Sequence, residues 1–178
     1  MMNETISPFG PKQDKRFMCQ ALTLARKALS RDEVPIGAIV VSPEGVVLGR
    51  GYNNVIHARS QTEHAEAVAM RRAGKKLGDW RLEGCWLFVT LQPCAMCMNL
   101  SNLARISGVV YGAESPLFGY HLDKGAGLRV YKKGALAIQG GVESDEAVQL
   151  LKQFFSEKRR ARDERKKQRN GSSQREAS

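Results

Sequence analysis

Trp86-Leu87-Phe88-Val89-Thr90-Leu91-Gln92-Pro93-Cys94-Ala95-Met96-Cys97 is the stretch that decides how the chain is read. Its first six residues form a continuous apolar run, the pattern of a strand covered on both faces. Pro93 predicts the start of a helix, because its missing N–H costs nothing in a first turn. A strand that feeds directly into a helix predicts an α/β fold, in which sites gather at the carboxyl ends of strands. Cys94 and Cys97, spaced i and i+3, fall at that junction on one helix face.

Working outward, Lys15 to Arg31 predicts an amphipathic helix, with Met18, Ala21, Leu22, Ala25 and Leu29 at helical spacing. Pro35 ends it, and Ile36 to Val41 predicts a strand. Ser42-Pro43-Glu44-Gly45 is turn chemistry, and Val46-Val47-Leu48 begins the return strand of a hairpin. Asn53 to Gln61 reads as a loop. Thr62 is the expected N-cap of a helix that carries His64, Glu66 and Ala67 to about Ala73. Gly74 to Gly84 reads as a connection. After the helix of Cys94 and Cys97 come a short strand at Val109-Val110-Tyr111 and a long, poorly periodic loop from Glu114 to Gly134. Leu136-Ala137-Ile138 is the expected last strand. From Asp145 a helix shows Val148, Leu151, Phe154 and Phe155 on one face, continues as a charged extension, and is expected to fray at Asn170-Gly171-Ser172-Ser173.

Two helix starts therefore carry metal-binding chemistry. One imidazole (His64) and two thiols (Cys94, Cys97) are three donors of the kind zinc prefers, with a fourth position left open, as in catalytic sites. A helix N-terminus favours thiolate over thiol. Zinc with an open position makes water a nucleophile near neutral pH. Glu66 is the candidate general acid/base. Positions i and i+2 of a helix point apart, so His64 and Glu66 converge only if they lie in the first turn. Each half of the pattern also has a bland reading: C-x-x-C pairs are also redox-active or structural, and H-x-E occurs by chance. Cys19 and Cys85 read as small buried hydrophobes, and His57 and His121 as loop residues. Gly37, Gly49 and Gly51 form no phosphate-cradling pattern.

The 178 residues suffice for one domain with its own core, so metal is not required for folding. No segment approaches the ~20 apolar residues needed to span a bilayer, and Met1 to Gln13 has no apolar stretch of a secretory signal. The expectation is a cytoplasmic protein with reduced thiols. Between Ser156 and Arg169 lie eight Lys/Arg and three Asp/Glu, half of the net charge of +10. Such clustering suits either a polyanionic partner or a solvated tail. The expected organisation is a flexible leader over 1–13, a compact domain over 14–156, and a basic helical extension and tail over 157–178.

The H-x-E and P-C-x-x-C pieces resemble those of the zinc deaminases of the cytidine deaminase superfamily. Further pieces, Asp32-Glu33-Val34-Pro35-Ile36-Gly37-Ala38 and Gly51-Tyr52-Asn53 together with the basic C-terminal helix, resemble the bacterial tRNA-specific adenosine deaminases, over about Leu22 to Lys167. The resemblance implies a three-layer α/β/α fold around a five-stranded mixed sheet. It implies a homodimer and hydrolysis of the wobble adenosine of a tRNA anticodon, chiefly an arginine tRNA, to inosine and ammonia. Residue by residue, it implies one zinc ion on His64, Cys94 and Cys97, proton transfer by Glu66, a hydrogen bond from Asn53 to the flipped base, and positioning of the ring by the backbone N–H of Ala65. Gln92 stands where the family commonly has glutamate, and Glu114-Ser115-Pro116 also departs from the common pattern. Two rivals remain: a deaminase of free bases or nucleosides, and a nucleic-acid-binding module with a closed, structural zinc.

Overall fold

A computed structural model describes residues 7–122 and 136–175, with side chains as far as 167. Its elements are α1 (Pro11–Leu29), β1 (Gly37–Val41), β2 (Val47–Tyr52), α2 (Val55–Ala58), α3 (Ala65–Leu77), β3 (Trp86–Leu91), α4 (Ala95–Leu103), β4 (Gly108–Ala113), a 3-10 turn (Tyr120–Leu122), β5 (Ala137–Gln139) and α5 (Ser144–Arg175). The strands form one mixed sheet in the order β2-β1-β3-β4-β5. β1 runs antiparallel to both β2 and β3, whereas β3, β4 and β5 are mutually parallel neighbours.

Both faces of the sheet are covered, because successive strand side chains point to opposite sides. Ala38 and Val40 of β1, Leu87 and Val89 of β3, and Val109 and Tyr111 of β4 pack with Ala69, Met70 and Ala73 of α3 and Met98 of α4. Their neighbours Ile39, Val41, Trp86, Phe88 and Val110 pack on the other side with Phe17, Met18, Ala21 and Leu22 of α1 and Ala147 of α5. This is the three-layer α/β/α arrangement with a five-stranded mixed sheet that the resemblance implies.

Register brings the two motif halves to one edge. Gly37 opposes Tyr52, and Ala38 opposes Val89, so the ends of β2 and β3 lie together at the start of β1. The chain leaves β2 toward α3 and leaves β3 toward α4 at this edge. The close seating of α3 on β2 depends on two glycines: a Cβ at Gly49 would lie 2.0 Å from the Ala69 carbonyl oxygen, and one at Gly51 2.1 Å from that of Ala65. Gly49 and Gly51 thus serve helix–strand packing.

Several boundaries differ from the sequence expectations. α1 begins at Pro11, not Lys15, since Pro11 is preorganised for the first turn while Lys12 and Gln13 add no apolar period. Before it, Phe9 packs edge-on against Phe17 at 5.3 Å, and the Ser7 hydroxyl donates to Asp14 at 2.6 Å. A one-turn helix, α2, occupies the expected loop and ends at Arg59 in the left-handed region. α3 runs past Ala73 and through Gly74, ending at Gly78 with φ 72°. The N-cap of α3 is His64, not Thr62, and that of α4 is Cys94, leaving Pro93 one residue outside the helix. α5 continues through Asn170-Gly171-Ser172-Ser173 to Arg175 instead of fraying there. Cys19 is exposed, because it sits one helical step from the buried Met18; Cys85 is buried as expected. Much of the loop expected from Glu114 to Gly134 lies outside the described residues.

Candidate metal and catalytic site

His64 and Cys94 occupy equivalent positions: each is an N-cap in extended conformation, His64 at ψ 149° and Cys94 at ψ 170°. Neither side chain caps its own helix. Both are therefore free to turn toward the space between the two helix ends. Cys97 lies in the first turn of α4 and is fully buried. The Nδ1 atom of His64 stands 3.5 Å from the Cys97 sulfur and 3.8 Å from the Cys94 sulfur. All three donor atoms lie within 4.8 Å of one another. Tetrahedral zinc with sulfur at ~2.3 Å and nitrogen at ~2.0 Å separates its ligands by roughly 3.5–3.8 Å, so the spacing fits.

Electrostatics points the same way. The Cys94 thiol is lowered to about 4, chiefly because the Cys97 thiol donates a hydrogen bond to it. Cys97, as that donor and as a buried group, is pushed far up. The pair thus shares one proton, which a divalent cation would displace. The hydrogen bond to Cys94 raises His64 above the ordinary histidine range, against the opposing effect of burial. The two helix N-termini add partial positive charge that favours thiolate.

Glu66 is the second helical residue of α3 and is 4% exposed. It lies in the first turn, where the extended N-cap conformation of His64 removes the divergence of a regular helix. Burial raises the Glu66 carboxyl; its own backbone N–H and the His64 charge oppose that rise. Its Oε2 atom is buried and has no hydrogen-bond partner among the described residues. A buried carboxylate oxygen without a partner is costly, and here it lies beside the cluster. Water or a substrate proton would satisfy it.

Asn53 follows directly on β2 and is 5% exposed. Its neighbour Asn54 donates its N–H to the Glu63 carbonyl at 3.0 Å, one residue before His64. The Asn53 amide donates to Glu33 at 3.1 Å. Glu33 is fully buried and also accepts from the backbone N–H of His57 at 2.8 Å. Sequence reasoning did not single out Glu33 for this role, because a buried acid with two distant donors has no local signature. Ala65 is buried and is the first helical residue, whose N–H an α-helix leaves without an intrahelical acceptor. His57 lies on α2, and His121 is exposed on the 3-10 turn. Phe154 is buried, while Phe155 is 46% exposed.

Residues 11–113 match the family model of the cytidine and deoxycytidylate deaminase zinc-binding region. A tRNA-specific adenosine deaminase of Agrobacterium fabrum is 40% identical over 147 residues, covering 80% of this chain and 94% of that protein. A tRNA(Ile)-lysidine synthase of Deinococcus radiodurans is 41% identical over 143 residues, but the chain spans only 25% of its length. A solved structure from studies of A-to-I editing by tRNA deaminases at the wobble position is 36% identical, with a TM-score of 0.69. It covers 76% of this chain and 99% of that one. The match to that family model over more than half of the sequence shows that the chain belongs to the cytidine and deoxycytidylate deaminase zinc-binding family, and zinc is its cofactor, for which the His64, Cys94 and Cys97 group is suited.

Proposed function

We propose that this protein hydrolyses the wobble adenosine of a tRNA anticodon to inosine with release of ammonia. The observation that carries the reading is the His64–Cys94–Cys97 cluster with the unpartnered Glu66 oxygen beside it. The tRNA adenosine deaminase of A. fabrum, similar over nearly its whole length, supports the substrate class. His64, Cys94 and Cys97 would hold the zinc, which supplies the Lewis acidity that makes water nucleophilic near neutral pH.

The chain's own residues then do the following. Glu66 accepts the proton of the attacking water and delivers it to the ring nitrogen next to C6; it then passes the proton of the added hydroxyl to the amino group, so that the C6 carbonyl forms as the C–N bond breaks and ammonia leaves. Its burial holds the carboxyl above the ordinary range, which suits a group that must both take and give a proton. Asn53 hydrogen-bonds the extruded base, and Glu33 holds the Asn53 amide in place. The N–H of Ala65 faces the reacting edge. Residues 14–156 carry the chemistry, and the basic extension over 157–178 contacts tRNA phosphates. The tRNA is an arginine tRNA, as the resemblance implies, and the protein works in the cytoplasm. Among the described residues no helix is long and apolar enough to cross a membrane.

The protein is a homodimer in this reading. An open groove between α3 and α4, lined by Met70, Leu82, Leu100 and Ala104, is flanked by the exposed Trp80. Met96 and Leu103 of α4 are also exposed, a concentration of apolar surface suited to a second copy. Light scattering should give twice the chain mass.

The function is tested by incubating the zinc-loaded protein with total tRNA and mapping inosine by nucleoside analysis, with free guanine and cytidine as competing substrates. Inosine at the wobble position is expected. Glu66→Ala should keep one zinc per chain and lose about 10²- to 10⁴-fold in rate. Deamination of the free compounds alone, or near-parental activity in the zinc-loaded variant, would refute the assignment.

A further inference from the structure

Gln92 sits between β3 and Cys94 and is 6% exposed. Its backbone N–H is used by the Ala113 carbonyl at 2.8 Å, at the end of β4. Its side chain reaches into the segment that follows β4. The Oε1 atom accepts the backbone N–H of Ser115 at 3.1 Å. The same oxygen lies where a side chain at Gly119 would fall: a Cβ there would be 2.3 Å from it. The Tyr120 phenol lies close to the same amide. With Oε1 committed to Ser115, the Nε2 group is the one that faces it as a donor. One buried amide thus meets both ends of the 115–120 segment.

The backbone completes the attachment. Tyr120 donates its N–H to the Pro93 carbonyl at 2.9 Å, and Gly119 donates to Ser115 at 2.9 Å. Pro93 directly precedes Cys94. The segment is therefore held against the metal-bearing start of α4. At its tip, Leu117 and Phe118 are both 76% exposed, two large apolar side chains in solvent beside the site. The Phe118 ring suits stacking against an unpaired base, and Leu117 adds apolar contact beside it.

We propose that Gln92 is a positioning residue that clamps the 115–120 segment onto the start of α4, so that Leu117 and Phe118 hold the single-stranded anticodon loop. This rests on the tRNA reading above. The clamp acts on substrate holding, not on the chemical step, because Gln92 offers no group to the zinc donors.

The test compares zinc-loaded full-length protein with Gln92→Met, which keeps the volume and removes the hydrogen bond to Ser115, and Gln92→Glu. The carboxylate of Gln92→Glu can accept from the Ser115 N–H and from the Tyr120 O–H. Tyr120→Phe, which deletes only the phenol oxygen, serves as a mild third variant. Two readouts are taken: amide hydrogen exchange at Ser115 and Tyr120, and KM and kcat on an anticodon stem-loop RNA with adenosine at the wobble position. Gln92→Met should exchange faster at both amides and raise KM roughly five- to tenfold, the effect of losing about one hydrogen bond. Its kcat and zinc content should stay near parental, and Gln92→Glu should restore KM. Tyr120→Phe should raise KM by a smaller factor.

Unchanged exchange in Gln92→Met overturns the clamp. Faster exchange with an unchanged KM overturns its link to substrate. A fall of kcat and zinc content together, with KM unaltered, assigns Gln92 to the metal site instead. If the parental protein forms no inosine on this RNA, the tRNA reading fails, and the exchange data still decide whether the clamp exists.

Discussion

Glu33 is the residue that holds the Asn53 amide, although it touches no metal donor. Its two oxygens are divided: one accepts the Asn53 amide and the other the backbone N–H of His57. Replacing it by glutamine puts an amide donor opposite one of these two donors. Glu33→Gln should lower stability by about 1–3 kcal/mol, the cost of a buried group left unpaired, read as a shift in urea midpoint. It should also raise KM while zinc stays bound; an unchanged KM would show that Asn53 does not need Glu33. Cys97→Ser makes the complementary prediction. Loss of a soft thiolate donor from the buried position should release zinc to a chelator that leaves the parental protein loaded, measured by metal analysis. The three candidate zinc donors were legible in the sequence because imidazole and thiol are recognisable by type. Glu33 and Gln92 were not, because each acts through hydrogen bonds to residues far along the chain.

At the scale of elements, the joint between β2 and α3 governs the site. Gly51 lets the backbone of Ala65 approach the strand, and Ala65 lies between His64 and Glu66. Gly51→Ala would place a methyl 2.1 Å from the Ala65 carbonyl oxygen. Overpacking of this kind typically costs about 1–3 kcal/mol. The first turn of α3 should shift to accommodate it, so zinc affinity and deamination should fall together in protein that is still folded by circular dichroism. The strand before the Cys94–Cys97 helix was readable from its apolar run, and both motif helices were readable too, although each starts two residues later than expected. The errors fell where the local signal is weak. α2 spans four residues, too few for a period, and its His57 N–H is paired with Glu33. The far end of α3 is polar, with Lys75 and Lys76, so no apolar spacing announces that the helix goes on to Gly78.

For the molecule as a whole, α5 divides into an anchored and a free part. Ala147 and Phe154 are buried against the body. Beyond them the described side chains from Glu157 to Lys167 are exposed except for a half-buried Ala161. Lys158 meets Asp32 at 2.5 Å and lies over the Phe154 ring at 5.3 Å, which fixes the start of the extension. An exposed helix this basic suits a phosphate backbone. Deleting residues 156–178 should leave zinc content unchanged, weaken tRNA binding, and flatten the plot of log affinity against log salt. Each lost phosphate contact removes about 0.7–0.9 from that slope. An unaltered slope would make the extension a solubility device.

What the sequence determined by itself was chemistry and layering: the candidate zinc donors, the acid/base candidate, the strands and helices that carry them, and the clustered charge. These depend on residue type and on spacing within one element. Only the tertiary structure decided that His64 and the two sulfurs meet, that Glu33 orients Asn53, and that Gln92 holds the segment after β4. Those contacts depend on sheet register, on close glycine packing and on which buried groups share a hydrogen bond. Such relations join residues twenty or more positions apart, and no local pattern encodes them.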